Sequence, residues 1–293
     1  MKNRKLAWAM NISVSLLLVG CAGPPPVSYL KSDQPQTASS KEEGYRSKVD
    51  FARLEHELPL STADLHQITL RNLQIADQEQ LDQIYSRLTA GPIPDGVYHG
   101  EFFFPRGESG YRRASEIIGR NLKGVVVNLK MAKVEHLGDA LWRGKFFDRA
   151  QRISWSRIHE LMALKDLAGD DVGEPNRITV NGREMRLAFP AKVYCGQSLL
   201  DGRRESIVID YAFSDDIEGY RKKPDALAGR DGFLVREEIR MVRPGLYLGR
   251  AYVGRVFVAN FVLGSEDSAH GPEKAREECF VGAQRMAVDR HGS

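Results

Sequence analysis

GFLVREEIRMV (residues 232–242), GLYLGRAY (245–252) and RVFVANFVL (255–263) follow one another near the end of the chain. Arg243-Pro244-Gly245 and Val253-Gly254 stand between them. Runs this short, rich in β-branched and aromatic residues and separated by Pro-Gly and Gly turn chemistry, predict three antiparallel strands in a meander. Sheet units at this spacing favour a barrel or sandwich over a parallel α/β sheet. The meander therefore sets the expected fold class: α+β, with an antiparallel, barrel-like sheet and flanking N- and C-terminal helices.

Earlier segments extend the sheet. Val97–Phe104, Leu141–Phe147, Arg177–Val180, Met185–Phe189, Lys192–Cys195 and Ile207–Phe213 are further strand candidates. Leu81, Ile84, Tyr85 and Leu88 recur at i, i+3, i+4, i+7 and predict a helix over Asp77–Leu88. The turn run Gly91-Pro92-Ile93-Pro94-Asp95-Gly96 ends it. Glu42–Leu58 reads as a short helix or a docked strap. Ile117, Ile118 and Leu122 suggest a helix within Tyr111–Leu137, whereas Val125–Val127 is ambiguous. Glu273–Val288 is expected to close the chain as a helix with Ala275, Cys279, Gly282 and Met286 on one face. No repeat of 20–50 residues is visible.

Composition bounds the function. The chain has 293 residues, 42% hydrophobic and 28% charged, enough to fill a sizeable core. Its formal charge of +3 is carried entirely by Lys2, Arg4 and Lys5. The remainder is balanced, so a nucleic-acid partner is not expected.

Residues 1–20 have the grammar of an export signal: a cationic start, an apolar stretch from Leu6 to Val19, then small residues. The apolar stretch is short for a helix crossing ~30 Å of hydrocarbon. Leu18-Val19-Gly20-Cys21 resembles the lipobox of bacterial lipoproteins. The resemblance implies that Cys21 takes a diacylglycerol and becomes the acylated (palmitate-type) N-terminus after cleavage. Two or three acyl chains suffice for stable anchoring in membrane lipid. Ala22, where aspartate would retain many such proteins at the inner membrane, implies the outer membrane, with the folded domain in the periplasm. The expected division is a signal peptide over 1–20, a flexible Pro/Ser-rich tether over 21–41 and one α+β domain over 42–293. Once Cys21 carries lipid, Cys195 and Cys279 are the two thiols left in an oxidising compartment, and a disulfide between them is expected. Two buried free thiols are the alternative.

Gly96-Val97-Tyr98-His99-Gly100-Glu101 resembles the Gly-x-Trp-x-Gly opening of GXWXG-domain proteins, with Tyr98 in place of their tryptophan. Trp142-Arg143-Gly144-Lys145-Phe146-Phe147 resembles their second motif. The stretch from Ile209-Asp210-Tyr211 through Tyr220-Arg221, Pro224-Asp225 and Gly229 shares their rhythm. These motifs touch about a third of the chain and imply a lipocalin-like (calycin) barrel, a class that mostly encloses small apolar ligands.

Familiar reaction signatures are absent from the sequence. His159-Glu160 starts like a zinc-protease motif, but position 163 is alanine. No cysteine pair has metal-finger spacing, so no metal and no cofactor is expected. Gly196-Gln197-Ser198 lacks the frame of a nucleophile elbow, and Gly144-Lys145-Phe146 has no hydroxyl after lysine to make a phosphate loop. Asp170-Asp171 and Asp215-Asp216 read as solvated turns. Glu238 lies between Arg236 and Arg240 on one strand face. It forms either a surface ion-pair ladder or an inward polar set.

Tyr98, His99, Trp142, Tyr211, Glu238 and Arg240 are accordingly the candidate ligand-binding residues; catalytic residues are not assigned. His99 reads as a surface residue unless the strand turns it inward. The aromatics Tyr98, Phe102, Trp142, Phe146, Tyr211, Phe213, Tyr247, Tyr252 and Phe257 could line a cavity or fill a core. The expected function is a non-catalytic, lipid-anchored barrel that binds a small apolar ligand. A structural or assembly lipoprotein and a periplasmic hydrolase or transferase are left open, as is the oligomeric state.

Overall fold

The computed structural model describes residues 23–31, 49–105, 141–266 and Cys279. The expected leader, Cys21, the helix within Tyr111–Leu137, Val125–Val127 and most of the closing helix Glu273–Val288 lie outside the described residues.

Four short helices come first: α1 (Phe51–Glu57), α2 (Thr62–Gln67), α3 (Leu70–Ile75) and α4 (Gln78–Arg87). Local chemistry fixes their starts. Asp77 accepts the Gln80 N–H at 2.8 Å while the Gln80 side chain accepts the Asp77 N–H at 3.1 Å, a reciprocal cap worth roughly 1 kcal/mol. Ser61 and Thr69 begin α2 and α3 in the same way.

The strands are β1 (Gly96–Phe103), β2 (Trp142–Asp148), β3 (Ile153–Ile158), β4 (Asn176–Val180), β5 (Arg183–Gln197), β6 (Glu205–Asp210), β7 (Val235–Arg243), β8 (Leu246–Val253) and β9 (Val256–Ser265), with α5 (Leu161–Ala168) after β3. All pair antiparallel in the order β3-β2-β1-β9-β8-β7-β6-β5-β4, and β3 also pairs with β5. That last pairing closes eight strands into a barrel, and β4 continues beside the start of β5 as an outlying hairpin. Closure removes the free edges that an open sheet would present.

The meander matches its expected strands. Pro244 and Gly245, the latter at φ +78°, form the two-residue turn between β7 and β8, the Pro-then-Gly order of a type II turn. The next turn is Gly254-Arg255, one residue later than expected, because Val253 still pairs with Val256. The two segments expected at Met185–Phe189 and Lys192–Cys195 form one strand. Trp155 faces Pro190 and Ser156 faces Ala188, so Phe189 bulges out at φ +54°. The Phe189 N–H is not lost: it donates to Asp225 at 2.7 Å, whose other oxygen accepts the Arg221 N–H at 2.8 Å. The bulge absorbs Pro190, which has no N–H for the ladder. Ile207–Phe213 is shorter as a strand than expected. Asp210 accepts the Ala212 N–H at 2.9 Å and turns the chain into a 3₁₀ segment over Tyr211–Asp216.

Two main cores result. One fills the barrel. The other lies between the helices and the outer wall of β7, β8, β9 and β1, where Leu81, Ile84, Tyr85 and Leu88 pack on Val242, Leu246, Leu248, Val262 and Phe103. Each such side chain contributes roughly 1.5–3 kcal/mol on burial.

Residues 23–31 lie within the stretch expected as a flexible tether, and part of this stretch contacts the helices. Leu30 donates its N–H to the Gln83 side chain at 2.8 Å and accepts from the same amide at 2.9 Å. Val27 and Tyr29 pack on the helix-side core. These apolar residues, placed among prolines and polar groups, give this stretch something to bury.

Candidate functional site

Successive residues of a strand face opposite sides of the sheet, and that alternation sends charge into the barrel at two places. On β2, Lys145 and Phe147 face inward; on β7, Val235, Glu237, Ile239 and Met241 do. Lys145 Nζ lies 2.8 Å from Glu237 Oε2, 2.6 Å from the Tyr211 hydroxyl and 3.4 Å from Ser156 Oγ on β3. The ammonium thus donates to two hydroxyls and ion-pairs with the carboxylate, and its side chain is fully buried. β2 and β7 are four strands apart in either direction around the closed barrel. The ion pair therefore spans the interior between opposite walls.

Burial alone would lower the Lys145 pKa, but the Glu237 carboxylate and the Tyr211 hydroxyl outweigh it and hold the ammonium above its ordinary value. Burial, reinforced by Glu237, pushes the Tyr211 hydroxyl up, with Lys145 opposing. At neutral pH the lysine is a cation and the tyrosine a neutral phenol. An amine in this state is not a free nucleophile or base. Its chemistry is that of a pin holding two walls together.

Rings occupy the interior above and below the pin. Tyr98 meets Phe147 and Tyr247 edge-on at centroid distances of 5.6 and 5.9 Å, and Trp142 meets Phe261 at 5.8 Å. Glycine makes room for them: a Cβ on Gly249 would stand 2.2 Å from the Phe261 ring, and one on Gly100 would stand 2.4 Å from Trp142. At these levels the barrel is packed with its own side chains.

The end of the barrel carrying the 3₁₀ segment and the β8–β9 turn is different. A cleft of about 310 Å³ opens there, with Tyr211 at its base and Ser214, Tyr220 and Arg230 among its walls. Arg230 is committed to Asp215 at 2.6 Å. Around the same end, Phe213, Phe233, Leu234, Val253 and Val256 are exposed, Phe233 and Val256 by more than half. The Leu234 carbonyl accepts the Gly254 N–H at 3.0 Å, which sets the residue before β7 beside the β8–β9 turn. A second cleft, of about 420 Å³, lies between α2 and β7, lined by Leu60, Leu65, Leu88 and Met241 with Arg87 and Arg243.

The sequence-derived candidates separate into three groups. Tyr98, Trp142 and Tyr211 belong to the barrel interior. His99 lies on the outer face, partly exposed, 3.6 Å from Glu101. Glu238 and Arg240 form neither an exposed ladder nor an inward set. They face outward and are fully buried beneath the helices and the 198–205 loop. Glu238 pairs with Arg236 at 3.0 Å and accepts the Leu199 N–H at 3.0 Å. Arg240 donates to the carbonyls of Tyr85, Arg204 and Glu205 at 2.9, 2.9 and 3.1 Å, with its guanidinium 4.7 Å from the Tyr85 ring centre. It fastens α4 to the barrel wall.

Of the nine aromatics named from the sequence, Phe146, Phe213, Tyr252 and Phe257 do not join the interior core, whereas Phe147 and Phe261, which were not among them, do. Lys145, Ser156 and Glu237 were missed. Their signal is a single charge on an otherwise apolar stripe: Glu237 between Val235, Ile239 and Met241. Cys195 and Cys279 form the expected disulfide, with Cα atoms 5.2 Å apart, within the range a bridge requires. Among the described residues, no group of three His, Cys, Asp or Glu side chains could hold a metal ion. None of the described helices is long and apolar enough to cross a membrane.

No protein-family model matches the chain, and no curated protein matches it. A solved structure of a protein from Thermomonospora curvata is similar at 16% identity and a TM-score of 0.33, over 66% of this chain and 89% of that one. A likeness that slight carries no argument about function.

Proposed function

We propose that this chain is a lipid-anchored protein of the bacterial outer membrane, held by acyl groups on Cys21, whose periplasmic barrel is a docking module for another envelope component. The lipobox Leu18-Val19-Gly20-Cys21 supports the anchor. A barrel is also compatible with the small-ligand carrier expected from the calycin resemblance. The observation that favours docking is the content of the interior. An apolar ligand lodged between Trp142, Phe261, Tyr98 and Tyr247 would have to displace rings already in contact and disturb the Lys145–Glu237 pin. Five of the nine exposed large apolar side chains among the described residues, Phe213, Phe233, Leu234, Val253 and Val256, lie around one barrel end, and exposed apolar patches mark interaction sites.

The test places a photo-crosslinking residue at Phe233 or Val256 in cells, with His99 as the reference position on the barrel side. Discrete protein adducts from the first two positions and none from the third are expected. A small molecule co-purifying with the protein in native mass spectra, together with no adduct from the rim, would overturn docking in favour of the carrier. The anchor is read separately, by loss of labelled fatty-acid incorporation in Cys21→Ser.

A further inference from the structure

The segment just after the anchor cysteine is fastened to the folded body. Pro25 is buried, and Val27 and Tyr29 pack on the helix-side core. The Tyr29 hydroxyl donates to the Pro25 carbonyl at 3.0 Å, closing a compact turn. Leu30 then exchanges two hydrogen bonds with the side chain of Gln83 on α4, at 2.8 and 2.9 Å. Gln83 is itself 4% exposed, so its amide needs Leu30 as a partner in place of water.

We infer that Pro25–Leu30 is a strap that brings the domain directly against the lipid surface, leaving Ala22–Pro24 as the slack between the acylated cysteine and the folded body. This deepens the lipid-anchor reading and rests on it. At ~3.3–3.6 Å per residue, Cys21 is held within roughly 14 Å of Pro25. Without the strap, the chain from Ala22 to Val49 would act as the spacer, with a root-mean-square span of about 30 Å for a flexible linker of that length. The Ser/Gln-rich run after Lys31 lies downstream of the dock in sequence and adds nothing to the distance from the membrane. The partner that this arrangement fits is the bilayer surface beside the anchor.

Two insertions into the full-length acylated protein separate the alternatives. A ten-residue Gly/Ser insert between Pro24 and Pro25 lengthens the slack, and the same insert between Ser39 and Ser40 does not. Neutron reflectometry on supported bilayers reads the gap between headgroups and protein. The strap predicts a gap under ~15 Å in the unaltered protein, widening to about 20 Å with the first insert and unchanged by the second. Equal effects of the two inserts, or a gap of about 30 Å in the unaltered protein, would overturn it. Hydrogen exchange reads the dock without a membrane: a slow Leu30 amide that becomes fast in Gln83→Ala is expected, and a fast one in the unaltered protein refutes the strap alone. Absence of acyl mass on Cys21 instead refutes the anchor reading, and with it the membrane contact.

Discussion

Lys145 and Glu237, on strands diametrically opposed in the barrel, meet at 2.8 Å across its interior. A buried ion pair is weak evidence for net stability, because desolvation opposes the attraction. Its removal in halves is another matter, since one uncompensated charge remains inside. Lys145→Met or Glu237→Leu alone is expected to destabilise the protein by about 3–5 kcal/mol, and the double variant by much less than either. Urea unfolding of the four proteins checks this. Additive losses would show that the pair does not act as a unit.

Gly249 and Phe261 form a tighter relationship, because the ring sits where a Cβ would be. Gly249→Ala forces the ring or a strand to move and should cost roughly 1–3 kcal/mol. Phe261→Leu opens space at the same spot, so Gly249→Ala is expected to cost less in that background than in the unaltered protein. Thermal unfolding of the single and double variants gives the coupling. No coupling would place the ring's packing elsewhere.

Much of the barrel was legible because it rests on local rules. Pro244-Gly245 turns the chain by its own backbone preferences, and the apolar spacing of Leu81, Ile84 and Leu88 forms a helix face in any context. β3 was not legible. Its inward positions Ser154 and Ser156 are polar, and Ser156 serves Lys145, while its outward Trp155 is covered by the cluster of Val97, Met185 and Leu187. The usual alternation is thus inverted. Glu238 and Arg240 read as a surface ladder or an inward polar set because the layer covering them comes from α4 and the 198–205 loop, distant in sequence. The Lys145–Glu237 pin is a non-local pairing of the same kind. Residues 25–31 were hidden by composition: Val27, Tyr29 and Leu30 act through their placement, which a count of prolines and glutamines does not register.

Acid should loosen the attachment of α1. Glu55 receives hydrogen bonds from Arg204 and Arg203, and the Arg204 bond is the main reason its carboxyl lies below the ordinary value of 4.5. A carboxyl whose pKa is lower in the folded state binds fewer protons there than in the unfolded chain. It therefore adds stability that is complete above about pH 4.5 and lost as pH falls through the folded value. Glu55→Gln should lower the unfolding midpoint at pH 7 and flatten its decline below pH 4.5. An acid limb of unchanged steepness would remove Glu55 from the account. The pair is partly exposed, so the effect should shrink in high salt.

The bridge from Cys195 to Cys279 ties β5 to a point 84 residues further along the chain. Cys195 borders the barrel core and Cys279 is buried against it, so the bond holds Cys279 on the folded body. In the chain-entropy view a loop of this size raises stability by at most about 4.6 kcal/mol, by restricting the unfolded ensemble. Cys279→Ser is therefore expected to destabilise the protein by about 2–4 kcal/mol, and Cys195→Ser/Cys279→Ser by a similar amount, because one bond is lost in each case. Under denaturing conditions without reductant, an oxidised variant that begins at Ala22 should titrate no free thiol. Two titratable thiols, or a Cys279→Ser variant as stable as the oxidised parent, would show that the bridge does not form in solution. Proteolysis adds a spatial reading. Cleavage beyond Ser265 should leave the C-terminal fragment attached until reductant is added, whereas release without reductant would place Cys279 away from β5.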